Sequence, residues 1–107
     1  MQRLQRQAPF LRAVLREADA NKRKQLLQLA NADQINTVSE LVLNVLKGNA
    51  PRSRYTIQRL RPHTQALRQI AKRGSSIKQR RQAMMNQTGA GLWHELRQCH
   101  RRCCTYM

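Results

Sequence analysis

Apolar residues recur at spacings of three and four along most of the chain, which is the period of an amphipathic helix. The clearest case runs from about Ala32 to Lys47, and its apolar stripe consists of Ile35, Val38, Leu41, Val42, Val45 and Leu46. Asn31 or Asp33 can cap the start of this helix, and Gly48 followed by Pro51 favours its end. We predict that this helix forms the core of the fold.

Two shorter helices are predicted ahead of the core helix. Apolar residues from Pro9 to Ala18 repeat at helical spacing, and proline suits the first turn of a helix. Asp19 or Asn21 can cap a second helix that continues to about Ala30. Residues 1–19 are therefore interpreted as an N-terminal amphipathic helix.

The pattern in the second half of the chain predicts two more helices, and a proline interrupts the first of them. Ser53 can cap the first of them, and Pro62 predicts a kink or break in its middle because proline lacks a backbone donor. Gly74 favours its end. Ser76 and Gln79 have the spacing of a capping box, which predicts the start of the second helix.

A small and flexible stretch at residues 88–91 separates these helices from the C-terminal segment. The residues that follow form a short amphipathic pattern through Leu92, Trp93 and Leu96. We therefore predict an all-α protein: a small, loosely packed bundle of four to six short helices, with a flexible basic C-terminal tail. Residues 89–107 make up the glycine break and this cysteine-containing tail.

Charge narrows the choice of partners. The 107 residues carry 21 Lys and Arg against five Asp and Glu, a net charge of +16. From Leu41 to His94, eleven residues are basic and none is acidic. Because self-repulsion opposes compaction, one-signed charge of this density indicates that the counter-charge comes from another molecule, and nucleic acid carries it most densely.

Arginine outnumbers lysine sixteen to five, which favours bidentate contacts to phosphate. We predict that residues 20–88 form a basic helical DNA-binding region. The predicted phosphate contacts are Arg52, Arg54, Arg59, Arg61, Arg68, Lys72, Arg73, Lys78, Arg80 and Arg81.

The pattern does not match a sequence-reading module. Basic residues occupy almost every predicted helix, whereas helix-turn-helix proteins concentrate them on one recognition helix. Aromatic residues, which single-strand binders interleave with cations, are 4% of the chain. Two alternatives stay open: a membrane-active basic amphipathic protein, and a structural RNA-binding protein of the ribosomal type. No apolar run is long enough to span a bilayer, so no transmembrane segment is expected.

No catalytic constellation is present, so the protein is not expected to be an enzyme and no cofactor is expected. The cysteines Cys99, Cys103 and Cys104 lie within the last nine residues. Together with His94 and His100 they could be considered as metal ligands. Structural zinc, however, usually takes its ligands from two separated pairs, and we interpret the cysteines as free thiols without a metal.

One ordered set of short motifs resembles a known family. The stretch from Leu43 to Asn49 reads LNVLKGN, and RLRPH, LRQIA and SIK follow it before the glycine break. Over about residues 20–92 the chain resembles the small basic proteins of adintoviruses and Polinton (Maverick) elements, which are similar to adenovirus core proteins. Relatives usually lack a proline where Pro62 stands, and their segment after the glycines is more apolar.

The resemblance implies a viral core protein that binds and condenses double-stranded DNA without sequence specificity. It also implies a location in the virion core, and in the host nucleus during infection. Gly89, Ala90 and Gly91 resemble the cleavage consensus of adenovirus-type proteases, with the cut between Ala90 and Gly91. A virus-encoded cysteine protease and capsid proteins are accordingly implied as further partners.

Overall fold

A computed structural model describes residues 2–47, 58–72 and 74–106, and the side chains of all these except residues 2, 90 and 101–106. The α-helices of this part of the chain are α1 (Gln2–Arg6), α2 (Ala8–Arg16), α3 (Ala20–Leu29), α4 (Ala32–Leu46), α5 (Thr64–Ala71), α6 (Ile77–Met85) and α7 (Ala90–Tyr106). A 3₁₀ turn at Arg61–His63 precedes α5.

Local capping explains where three of these helices begin. The Asp19 carboxylate accepts the backbone N–H groups of the first turn of α3. At α4, the Asn31 side chain accepts from the Gln34 backbone at 2.8 Å, and the Gln34 side chain accepts from the Asn31 backbone at 2.9 Å. Ser76 and Gln79 form the same reciprocal pair at α6. These contacts satisfy amide donors that a helix start leaves without partners, and they confirm the predicted starts.

The break at Pro62 is also confirmed. Pro62 lies in the 3₁₀ turn, and the regular helix α5 begins only afterwards, at Thr64. Gly74 has φ of +87°, a left-handed conformation that glycine adopts without steric cost, shortly after α5 ends. The predicted helix end at Gly48 and the predicted cap at Ser53 lie outside the described residues.

Helix α4 lies at the centre of the apolar core, as its stripe predicts. Ile35, Leu41 and Val42 have no exposed surface, and α4 contacts α1, α2, α5, α6 and α7. The core also takes in residues from both ends of the chain, including Leu4, Leu11, Leu67, Ile70, Met84, Leu92, Trp93 and Leu96. The three predicted segments therefore share a single core.

The all-α fold class is confirmed, and the structure differs from the prediction in two details. It has seven α-helices in its described part rather than four to six. Its radius of gyration is 12.4 Å, close to the ~13 Å of a compact domain of about 100 residues, so the packing is closer than expected.

The tail also begins later than the sequence suggests. Leu92, Trp93 and Leu96 on α7 are at most 1% exposed, and Cys99 is buried as well. The amphipathic pattern of this segment is therefore used to pack it against the core, chiefly against α2. Within the described residues, none of the helices combines the length and apolar character that crossing a membrane requires.

Candidate nucleic-acid interface

A basic groove of about 1000 Å³ runs between α1, α4, α5 and α6. Among the described residues that line it, five side chains are cationic and one, that of Glu40, is a carboxylate. The cations are Arg3, Arg6, Lys47, Lys72 and Arg80. We call these residues and the surface between them the basic groove. They come from four separate stretches of sequence, so only the fold brings them together.

Helix α4 forms the floor of the basic groove. Asn36, Glu40, Leu43 and Lys47 line it at spacings of four, three and four residues, which place them on one face of the helix. The opposite face of α4 carries the buried apolar stripe. Helix α5 is fixed beside this floor by the buried Ser39 hydroxyl, which donates to the Ile70 carbonyl at 2.8 Å.

Helix α1 forms one wall and is attached to α4 through Asp33. Arg3 Nε lies 3.2 Å from Asp33 Oδ1, and Arg6 Nη2 lies 3.4 Å from the same oxygen. The Gln7 amide donates to Asp33 Oδ2 at 2.7 Å. This hydrogen bond, followed by the charges of Arg6 and Arg3, holds the pKa of Asp33 below its ordinary value. The carboxylate therefore stays ionised and orients both arginines.

The two arginines are nevertheless accessible from the groove. The side chains of Arg3 and Arg6 are 41% and 61% exposed, and Arg3 Nη1 is 3.8 Å from Glu40 Oε2. Exposed ion pairs of this kind contribute little to stability, at most about 1 kcal/mol each. A phosphate can therefore compete for these guanidinium groups at small cost.

Two predicted phosphate contacts, Lys72 and Arg80, line the basic groove. Arg68 lies on the exposed face of α5, as the sequence pattern predicts, and Lys72 is exposed directly after the end of this helix. Arg61 is exposed in the 3₁₀ turn, and Lys78 is exposed at the start of α6. These side chains extend the positive surface beyond the groove.

Arg59 and Arg81 have contacts within the fold that the sequence did not indicate. Arg59 Nε lies 3.8 Å from Oε1 of Glu95, whose side chain is only 6% exposed. Arg81 Nη1 donates to the carbonyls of Leu27, Gln28 and Ala30 at 2.7–2.9 Å. These carbonyls end α3, where a helix leaves its acceptors without partners. We therefore assign Arg81 to the fold rather than to a phosphate contact.

Three predicted contacts, Arg52, Arg54 and Arg73, lie outside the described residues. Conversely, the sequence reading did not select Arg3, Arg6 and Lys47 as phosphate contacts. The sequence does contain one indication of the positions of Arg3 and Arg6. Asp33 and Glu40 are seven residues apart, which places them on one face of a predicted helix. Two carboxylates on one face of a helix are expected to form ion pairs with cations. The sequence does not indicate which of the 21 cations these are.

The suggested cleavage site lies at the start of α7. Gly89 and Gly91 are exposed, and Ala90 is the first residue of the helix. A Cβ atom on Gly91 would lie 3.5 Å from His63 Nε2, so this turn passes close to the 3₁₀ turn. The bond between Ala90 and Gly91 is thus part of a helical turn. A protease that binds extended chain would have to unwind this turn first.

The possible metal ligands are not assembled in the described part of the chain. None of its His, Cys, Asp and Glu residues form a group of three that could hold a metal ion. Cys99 and His100 are both buried on α7. The side chains of Cys103 and Cys104 are not among those that the structure describes.

Comparison with known proteins returned no match to this chain, whether among protein-family models, curated proteins or solved structures.

Proposed function

We propose that the protein binds double-stranded DNA without sequence specificity and condenses it. The observation that carries this proposal is the basic groove, in which five cations from four stretches of sequence surround one carboxylate. Over the whole chain, 21 Lys and Arg side chains face only five Asp and Glu side chains, so the carboxylates cannot neutralise most of the cations. A polyphosphate supplies that counter-charge and releases its own bound cations when it does so.

The chemistry of the groove favours contact with phosphates over contact with bases. Its cations are attached to a compact helical body, and the lining residues that the structure describes include no aromatic side chain on which a base could stack. Arginine and lysine contacts to phosphate fix a protein on the duplex but carry no sequence information. Affinity should therefore depend on salt and on duplex length rather than on base order.

The biological setting that we propose follows from the family resemblance of the LNVLKGN block and the motifs after it. In that setting the protein is a virion core protein of an adintovirus or a Polinton-type element. It packages viral DNA in the host nucleus and in the particle, where capsid proteins and a cysteine protease are its neighbours. No catalytic step is part of this proposal.

The salt dependence of duplex binding tests the proposal. If six to ten phosphates are neutralised, affinity for a random duplex should fall roughly 10³–10⁵-fold between about 50 and 200 mM salt. The double variant Lys47→Gln/Lys72→Gln should reduce the slope of log affinity against log salt by about two. Both lysines are exposed in the groove, so this change should leave the fold intact.

A matched control is Lys22→Gln/Lys24→Gln, which removes two exposed charges from α3 outside the groove. It should change the slope by less than the groove variant does. Equal affinity at both salt concentrations would contradict the proposal, as would strong preference for one duplex sequence. Competition by structured RNA and by anionic vesicles at one salt concentration separates the alternatives, because the preferred polyanion displaces the duplex at the lowest phosphate concentration.

A further inference from the structure

A second group of cations lies on the surface formed by α2 and α7. Arg12 and Arg16 are exposed on α2, and Arg97 is partly exposed on α7. Burial lowers the pKa of His100 on α7, and the charges of Arg12 and Arg16 lower it further, so both arginines of α2 lie close to α7. We call Arg12, Arg16, Arg97 and the surface around them the α2–α7 surface.

Few carboxylates of the described chain lie where they could neutralise the positive charge of the α2–α7 surface. Among the described residues none of its three arginines has an ion pair. Glu17 follows Arg16 in sequence, but its carboxylate accepts the Asp19 backbone N–H at 3.1 Å. The remaining nearby acid, Glu95, is buried and lies 3.8 Å from Arg59. The counter-charge for the α2–α7 surface must therefore come from outside, as it does for the basic groove.

The two basic surfaces lie on opposite sides of α4. At about 100° per residue, the groove-lining row of Asn36, Glu40, Leu43 and Lys47 is nearly opposite the buried row of Val38, Leu41, Val42 and Val45. Helices α2 and α7 both contact α4, and neither supplies a groove-lining residue within the described chain. They therefore pack against the buried row, and their outer surface faces away from the groove.

The thickness of the molecule suits contact with two polyanions at once. The protein measures 32 × 29 × 29 Å, so polyanions on opposite sides are held nearly four Debye lengths apart at physiological salt, where that length is about 8 Å. Their mutual repulsion is then largely screened. Binding on one side consequently imposes little electrostatic penalty on binding at the other.

We propose that the α2–α7 surface is a second duplex-binding surface, so that a single copy of the protein cross-links two DNA segments. This inference rests on the proposed function and explains how one small folded unit condenses DNA. An acidic membrane is the less suitable partner. Binding to a lipid surface needs exposed apolar side chains. Among the described residues, the large apolar side chain that is exposed is Leu29, and it lies on α3 rather than on the α2–α7 surface.

A two-colour capture experiment tests the cross-linking. One duplex is immobilised, a second fluorescent duplex of equal length is added, and the protein is kept below the concentration at which sedimentation detects dimers. The wild-type protein should co-capture the second duplex. At about 0.15 M salt, loss of two phosphate contacts from one surface reduces its affinity about 30-fold, so Arg12→Gln/Arg16→Gln should reduce co-capture by about that factor.

Two further variants make the experiment specific. Lys47→Gln/Lys72→Gln should reduce co-capture in the same way, because either surface alone holds one duplex. Lys22→Gln/Lys24→Gln removes the same charge from α3 and should keep co-capture within about threefold of wild type. Circular dichroism melting of each variant checks that the fold is kept, since all six side chains are exposed.

The outcomes distinguish this inference from the proposed function. If wild-type protein captures no duplex at all, the proposed function is wrong. If it captures one duplex and Arg12→Gln/Arg16→Gln co-captures as well as wild type, the inference alone is wrong. Co-capture that appears only where dimers are present overturns it too. The inference is also wrong if Arg12→Gln/Arg16→Gln loses binding to anionic vesicles but co-captures duplexes as well as the wild-type protein does.

Discussion

At the scale of single residues, the unusual positions are basic side chains buried against α7. Arg23 is 4% exposed, and its Cζ lies 5.4 Å from the centre of the Trp93 ring. Its Nη2 donates to the Glu17 carbonyl, while Nε and Nη1 have no hydrogen-bond partner among the described residues. Burial lowers its pKa, and the charge of Glu17 opposes that shift. The indole face thus replaces part of the solvation that this guanidinium loses.

His100 makes the docking of α7 dependent on pH. Burial lowers the pKa of His100 below its ordinary 6.5, and the charges of Arg12 and Arg16 lower it further. The unfolded chain therefore binds a proton at a higher pH than the folded protein does. Stability is fully present above about pH 6.5 and falls as the pH is lowered from there towards the folded-state pKa, below which it levels off.

We expect the thermal midpoint of the wild-type protein to fall between pH 7.5 and pH 5. The variant His100→Gln should lose most of this dependence while it keeps a similar volume and a hydrogen-bonding side chain. Circular dichroism melting at constant ionic strength measures both. An equal decrease in the variant would show that other groups titrate. Asp33 does not interfere in this range, because its pKa lies below 3.8.

At the scale of elements, α4 stabilises the fold through its buried stripe. Leu41 has no exposed surface and Val45 has 1%. Burying an unpaired carboxylate costs several kcal/mol, which is comparable to the total stability of a small domain. We therefore expect Leu41→Asp or Val45→Asp to abolish helicity well beyond α4.

Asn36→Asp is the matched control, because it places the same carboxylate on the groove face of the same helix. It should keep most of the helical circular dichroism signal and a cooperative melting transition. An unchanged spectrum and midpoint in Leu41→Asp would contradict the observed packing of α4.

Helix α7 determines the consequence of cleavage between Ala90 and Gly91. The cut removes Leu92, Trp93 and Leu96, each of which contributes about 1.5–3 kcal/mol when fully buried. Their sum approaches the whole stability of a domain of this size. A chain that ends at Ala90 should therefore melt at a much lower temperature than the full chain, or without a cooperative transition.

Circular dichroism and tryptic digestion of the two chains measure this difference. Addition of the synthetic peptide of residues 91–107 should restore part of the melting transition, because its apolar face fits the surface exposed by the cut. A truncated chain with an unchanged midpoint would show that α7 adds no stability. It would also make removal of this segment in a mature particle harmless to the fold.

At the scale of the whole molecule, positive charge opposes folding. The net charge of +16 is spread over a body about 30 Å across, and the Debye length falls from 30 Å at 0.01 M salt to about 10 Å at 0.1 M. Added salt screens the repulsion between cations on opposite sides. The stability of the free protein should therefore increase with salt, whereas the DNA binding that we propose should weaken with salt.

We expect the melting temperature of the free protein to rise between about 0.01 and 0.1 M sodium chloride. Under the proposed function, a short DNA duplex at low salt should raise it further, because the folded arrangement of cations binds the duplex more tightly than the unfolded chain does. Sodium sulfate at equal ionic strength distinguishes general screening from anion binding in the groove. A midpoint that falls with salt would show that internal ion pairs outweigh the net repulsion.

The sequence by itself determined the starts of three helices and the break at Pro62, because capping and periodicity act over a few neighbouring residues. Asp19, Asn31 and Ser76 begin helices as predicted, and Pro62 breaks one. The buried face of α4 and the exposed face of α5 also followed from spacing alone. These features require no knowledge of what lies beside each helix.

Tertiary structure alone decided which charges line one groove. Arg3, Lys47, Lys72 and Arg80 are far apart in sequence and meet only because α1, α5 and α6 pack around α4. In the sequence, nothing distinguishes Arg81 from the arginines that are predicted to be exposed. In the structure, its guanidinium donates to carbonyls at the end of α3. The tail helix likewise joins the core because α2 offers it an apolar face. Such outcomes depend on contacts between distant residues, and local patterns carry no information about which distant residue will be the neighbour.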